Sequence, residues 1–306
     1  YGVNAGGYKN VKSSPRKLKI ILTNDDSWES ANIRATYYAL RSAGHNVTIA
    51  SEAHQQSGTG GTVKLPVNQT IVTPGRGDSI PASAPYFGRN ETDPAITYFD
   101  GTPTAAVFWA LDQVKYFGDD GPDLIVSGPN EGTNLGPFLY TLSGTIGATY
   151  AAIERGYPAM AFSSSSKARS YKTLDVDNAQ DESNILGTQI ANFVSAWSQQ
   201  NKQGRLLPQA IGLNINFSPT TSSCPNQKPK WATTRLTGKA NIDKLVVGSN
   251  NLPQYEEYAT PEGTGLNKCN SGDCSLPGET EYIDGGDCRA SVSIFSTDYD
   301  APVDKT

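Results

Sequence analysis

Two histidines and one methionine in 306 residues leave little material for imidazole chemistry. The four cysteines, Cys224, Cys269, Cys274 and Cys288, all lie in the last third and include no C-x2-C pair. With His45 and His54 remote from them in sequence, the usual zinc spacings are excluded. There is no G-x-S-x-G and no Cys–His arrangement set for nucleophilic attack, so serine and thiol hydrolases gain little support. No G-x-G-x-x-G follows the first apolar run, which weighs against a nicotinamide dinucleotide fold. No apolar stretch approaches the ~20 residues that span a bilayer, so no membrane partner is expected. Basic residues number 25 against 30 acidic ones, a net charge of −5 that argues against binding a nucleic-acid duplex.

What is present is glycine, 30 residues, and proline, 19, in a chain long enough for one large α/β domain or two small ones. Residues 1–16 lack periodicity and read as an N-terminal arm. Strand and helix patterns then alternate over residues 17–217. "KLKIILTN", "HNVTIAS", "PDLIVSG", "YPAMAFSS" and "QAIGLNINF" are continuous apolar runs, whereas "SANIRATYYALRSAG", "TPTAAVFWALDQV", "GTIGATYAAIERG" and "ESNILGTQIANFVSAWSQQ" repeat at helical spacing. Uninterrupted apolar strands joined by helices predict a mostly parallel, Rossmann-like central sheet covered on both faces, an α/β fold. Residues 58–100, rich in Gly and Pro, read as long loops or short hairpins. Residues 218–306 are expected to form a loop- and hairpin-rich extension carrying the cysteines, closed by the period-two strand "CRASVSIFSTDYD".

Four N-x-[ST] triplets, at Asn46, Asn68, Asn90 and Asn216, together with an even number of cysteines favour a secreted glycoprotein. The opening "YGVNAGGYKN", without Met or an apolar signal region, reads as a processed mature chain. Four cysteines allow three pairings, of which Cys269–Cys274 is preferred.

Ligand sites in parallel sheets lie beyond the carboxyl ends of the strands. Three such ends carry polar, Gly-containing loops. The first is "TNDD", where Asp25 and Asp26 are adjacent. Like charges side by side are costly unless something offsets them. One carboxylate is explained by capping of the following helix, through Asp26 or Ser27. Both are explained by a hard divalent cation. The motif alone leaves these readings level. "QQSGTGG" follows the second strand and places Ser57 in a loop able to present N–H groups, although a plain turn explains it as well. "SGPNEGTNLG" follows the third, with Asn130 and Asn134 four apart; amide oxygens can complete a metal shell without adding charge, and Asn is also an ordinary turn former. Finally, Ser143, Gly144 and Thr145 open a helix, where free N–H groups and the helix dipole favour an anion, and where a simple N-cap fits equally. His45 precedes a strand and reads as structural; His54 lies near the Ser57 loop.

In order, these motifs resemble the SurE family of metal-dependent nucleotidases and phosphatases. The resemblance is dense from Lys17 to Ser166, thinner to Phe217, and returns in "CRASVSIFSTDYD". It implies a divalent metal, Mg2+ or Mn2+, held by Asp25, Asp26, Ser57 and Asn130, and phosphate contacts from Asn134, Ser143, Gly144 and Thr145. It further implies a phosphomonoesterase using a metal-activated water, with Asp25, Asp26 and Asn134 at the chemistry and a nucleoside monophosphate as one such substrate. The secretion signals point to the fungal acid-phosphatase branch. Family members form dimers or tetramers by exchanging C-terminal segments, which here would be residues 279–306. Three departures stand out. Ser27 replaces the family's glycine, "WESANI" replaces its usual A-P-G segment, and "LYTLSGT" is longer than usual. They leave an alternative, a SurE-like protein that binds metal and phosphate with weak or no turnover.

Overall fold

A computed structural model describes residues 16–219, 224 and 228–300. The arm expected over residues 1–16 lies outside these residues except for Arg16, as do residues 301–306 of the segment expected to exchange. One nine-stranded sheet in the order β3-β4-β2-β1-β5-β6-β7-β11-β8 organises the chain. Its centre is parallel: β1 (Lys19–Thr23), β2 (Asn46–Glu52), β4 (Ile96–Phe99), β5 (Leu124–Glu131), β6 (Ala159–Ser164) and β7 (Ile211–Phe217). In β1, Ile20 and Leu22 pack on one side and Ile21 on the other, each at most 1% exposed. Burial on both faces is why the strand reads as an unbroken apolar run.

Helices α1 (Ala31–Ser42) and α5 (Glu182–Gln200) cover one face with Ile33, Tyr37, Leu40, Ile190 and Val194. Helices α2 (Pro103–Trp109) and α4 (Gly144–Glu154) cover the other with Val107, Ala148 and Ala152. The helical pattern read to residue 114 is α2 followed by a wider turn, Ala110–Val114, which ends at Lys115 in left-handed backbone (φ 48°). No described helix is long and apolar enough to cross a membrane.

Within residues 58–100, β3 (Phe87–Arg89) pairs antiparallel with β4 and forms one sheet edge. Beyond residue 217 the chain returns to the other edge. The late strand β11 (Arg289–Ser296) runs antiparallel to β7 of its own chain, and β8 (Lys230–Thr234) runs parallel to β11. The hairpin expected in this extension is β9 (Asn241–Val247) with β10 (Pro253–Ala259), whose strands had no apolar pattern to place them, since all of β10 is exposed. Helix α6 (Glu279–Asp284) precedes β11. Disulfides join Cys224 to Cys288 and Cys269 to Cys274.

The sequons separate by position. Asn46 and Asn68 are exposed and Asn90 is half-buried. The expectation at Asn216 is overturned. It is 0% exposed on β7, and its Nδ2, the atom a glycan would occupy, donates to Asn134 O at 3.0 Å.

Candidate active site

The carboxylates stand where β1 ends. Asp25 and Asp26 are 2% and 1% exposed. Neither caps α1: the N-cap is Ser30, whose hydroxyl accepts from Asn32 N at 3.3 Å, which removes the capping account of Asp26 and Ser27. Ser27 turns the chain through left-handed backbone (φ 82°), the region where glycine is at ease. Its N–H donates to Glu52 Oε1 at 2.8 Å and its hydroxyl to Ala53 O at 3.3 Å. These bonds hold a serine in glycine's conformation and keep the turn that orients both aspartates.

Asp25 faces the N-terminus of α4. Thr145 Oγ1 donates to Asp25 Oδ1 at 2.7 Å and lies 3.3 Å from Asn130 Oδ1. A Cβ added to Gly144 would stand 2.9 Å from the Asp25 Cβ, so glycine is what lets the helix end come this close. The first residues of α4 were expected on phosphate, and Gly144 and Thr145 here serve the Asp25 carboxylate, which draws on the same helix dipole. Ser143 caps α4, its oxygen accepting from Ile146 N at 3.3 Å, and its own O–H remains to be donated.

Asn130 was expected in a loop and stands instead on β5, opposite Ser163 of β6, after a register shift between Ser127 and Asn130. Pro129 brings no N–H to the ladder at this point. Asn130 Nδ2 donates to Gly132 O at 2.8 Å, which turns Oδ1 toward Thr145. On the other flank, Gln55 Nε2 lies 3.4 Å from Asp26 Oδ1 and 2.6 Å from Ser57 Oγ. An amide hydrogen donor thus stands between two of the expected metal ligands, as a partial positive charge in a cation's neighbourhood. Thr145 thus links Asp25 to Asn130, and Gln55 links Asp26 to Ser57.

Asn134 lies farther along. Its Nδ2 donates to Ser163 Oγ at 2.8 Å, its N–H to Asn216 Oδ1 at 2.8 Å, and its carbonyl accepts from Asn214 Nδ2 at 2.9 Å. His45 is structural, its Nδ1 accepting from Leu18 N at 3.2 Å, and His54 pairs with Asp100 at 3.7 Å.

Several residues of the site were not singled out in the sequence. Glu131 donates its N–H to Asp26 Oδ2 at 2.7 Å, and its carboxylate takes Arg76 Nη2 at 2.8 Å and Ser30 Oγ at 2.7 Å. Arg76 also donates to Asp26 O and lies 3.7 Å from Glu29. Glu131 directly follows Asn130, and Glu52 directly follows a predicted strand, so both had a positional signal. Arg76, in "PGRGDS", had none.

The electrostatics favour a cation. Burial raises Asp25, and Asp26 is pushed up to about 8 by burial first and then by the charges of Asp25 and Glu131. Glu52 is raised by burial and by Asp25. The Arg76 guanidinium opposes the rise at Asp26. Among the described residues no three His, Cys, Asp or Glu side chains cluster as ligands; a metal held by Asp25, Asp26, Ser57 and Asn130 would meet two carboxylates and two neutral oxygens. That donor set suits a hard divalent ion, and the residues present fit one.

Comparison with known proteins shows the family. The family model for Survival protein SurE matches residues 20–242. The chain is 42% identical over 312 residues to an acid phosphatase of Yarrowia lipolytica, covering 98% of this chain and 86% of that one. It is 36% identical over 220 residues to a 5'-nucleotidase SurE of Nitratidesulfovibrio vulgaris, covering 69% and 68%. The crystal structure of a SurE protein from Aquifex aeolicus superposes with a TM-score of 0.60 over 92% of this chain and 94% of that one, at 20% identity, a likeness of fold. On the extent of these matches, the chain belongs to the SurE family.

Proposed function

We propose that the chain is a divalent-metal-dependent phosphomonoesterase, an acid phosphatase acting on small phosphate esters, with nucleoside monophosphates among them. The observation that carries this reading is a pair of buried adjacent carboxylates with Thr145, Asn130 and Ser57 around them. Family membership and the acid phosphatase and nucleotidase relatives support it. The two disulfides and the fungal relative favour secretion.

Asp25, Asp26, Ser57 and Asn130 would hold the metal, Mg2+ or Mn2+. When bound, such an ion supplies Lewis acidity toward a phosphoryl oxygen and toward the attacking water. The protein supplies the rest. Asn134 and the Ser143 hydroxyl present donors to phosphate oxygens, and the N-terminus of α4 lends its dipole to the charge that builds there. Near-complete burial of Asp25 and Asp26 keeps their surroundings at low dielectric, where each oriented dipole counts for more than in water. In hydrolysis the ester P–O bond breaks, water's oxygen joins phosphorus, and the departing alkoxide takes up a proton.

The test is phosphate release from a nucleoside 5'-monophosphate and from p-nitrophenyl phosphate, with EDTA and then with Mn2+ or Mg2+ restored, from acid to neutral pH. Release that EDTA abolishes and metal restores is expected. Silence throughout, with calorimetric metal binding intact, would replace the enzyme by a metal- and phosphate-binding protein.

A further inference from the structure

Glu279 is a buried carboxylate that the reaction as described does not use. It enters from α6, far in sequence from the catalytic motifs, and is 0% exposed. Its Oε1 accepts from Gly136 N at 2.7 Å, and Asn214 Nδ2 lies 3.2 Å from both of its oxygens. Asn214 Nδ2 is also 2.9 Å from Asn134 O, so one amide ties the carboxylate to the carbonyl of Asn134. Ser293 of β11 adds a hydroxyl hydrogen bond. Among the described residues no cationic side chain forms an ion pair with Glu279; Tyr140 is the titratable side chain that feels its charge.

The turn is gripped from behind as well. Gly136 has left-handed backbone (φ 86°), and a Cβ there would meet the Ala240 methyl at 2.6 Å. Ala240 and Glu279 both come from beyond residue 217, and between them they leave the Asn134–Gly136 turn little freedom.

We infer that Glu279 is a positioning residue for phosphate binding: it fixes the Asn134–Gly136 turn through the Gly136 N–H and the Asn214 amide, which makes the C-terminal segment part of the active site's support. The inference rests on the functional reading above, which assigns Asn134 to phosphate. The geometry explains why a carboxylate is kept in the core without a cation. It accepts from three donors at once, which no neutral side chain of its size can do with two equivalent oxygens. Burial raises the carboxyl to about 7, and the bonds from Ser293, Gly136 and Asn214 oppose that shift.

The hydrogen bonds of Glu279 go to Gly136, Asn214 and Ser293 and not to Asp25, Asp26, Ser57 or Asn130, so its role separates phosphate from metal. The experiment is calorimetry on the full chain, first with Mn2+ alone and then with inorganic phosphate added to the Mn2+-loaded protein. Wild type is compared with Glu279→Ala, Glu279→Gln and, as a surface control on the same helix, Glu281→Gln. Phosphate affinity is expected to weaken about tenfold in Glu279→Ala, the scale of one buried partner lost. Glu279→Gln keeps an acceptor for Gly136 N and is expected to fall between Glu279→Ala and wild type. Mn2+ affinity is expected to stay within about twofold in all variants, and the control to match wild type. Unchanged phosphate affinity, or Mn2+ affinity falling in step with it, would overturn the inference. If Glu279→Ala does not fold, the same two criteria applied to Glu279→Gln decide it. Wild type that binds Mn2+ but no phosphate sinks the functional reading, and this inference with it.

Discussion

The two halves proposed for the site, one for metal and one for phosphate, are built from different materials. The metal half is local to the central strands: Asp25 and Asp26 lie just beyond β1, Asn130 is the last residue but one of β5, and Ser57 lies a few residues beyond β2. The phosphate half depends on partners far away in the chain. Asn134 is held by Asn214 and Asn216 from β7, and Gly136 by Glu279, 143 residues on. The first half is set wherever the sheet forms. The second is complete only once β7 and the C-terminal segment have been added beside β6. A substitution in one half should therefore leave the other measurably intact.

The largest expected effect is at the metal half. Asp26→Asn should reduce phosphate release by about a thousandfold or more and abolish tight Mn2+ binding, because it removes one of two charged ligands. Turnover and metal affinity are the measurements, and activity kept within tenfold would remove Asp26 from the site. Asn134→Ala should cost about 2 kcal/mol in kcat/KM while Mn2+ affinity holds, as loss of one transition-state donor would. If Mn2+ affinity also fell, the division into halves would be wrong.

A third effect is on stability. Asp26, at about 8, and Glu279, at about 7, keep protons when folded that they release near 4 when unfolded. Asp25 and Glu52 are raised as well. Folding therefore takes up protons, so stability is fully present below pH 4 and is lost as pH rises to about 8. In EDTA, the melting temperature should fall between pH 5 and pH 8. The Glu279 share, from 4.5 to about 7, corresponds to about 3 kcal/mol. Mn2+ should erase the share of the aspartates at pH 8 and leave that of Glu279, which Glu279→Gln alone should remove. A pH slope that Mn2+ cancels entirely would contradict the separation.

The smallest effect is expected at Ser27. Glycine there relieves left-handed strain but loses the hydroxyl's bonds and gains freedom when unfolded, so Ser27→Gly should shift stability by less than about 1 kcal/mol. Turnover should stay within twofold. A tenfold gain would mean that the serine displaces the aspartates.

Much of the metal half was legible because its residues sit at strand ends, and a strand end in a parallel sheet is where ligands bind. The adjacency of two carboxylates was itself the signal. Arg76 was not legible, since a charged residue in a Gly-rich loop has no periodicity to say what it faces, although it reaches Asp26 and Glu131. Asn216 shows the converse failure. The triplet around it is a glycosylation signal in one dimension, yet in three its amide is inside the sheet, bonded to Asn134.

What the sequence determined by itself was the order of buried strands and helices, and with it the parallel sheet and the carboxylates at its tip. These follow from spacing between near neighbours, which the chain carries whatever it later packs against. Only the tertiary structure decided that Thr145 links Asp25 to Asn130 and Gln55 links Asp26 to Ser57, that β11 enters between β7 and β8, and that Glu279 bonds the turn at Gly136. Those are contacts between residues far apart in the chain. They form because a buried donor or acceptor must find a partner once water is gone, and packing alone settles which partner is within reach.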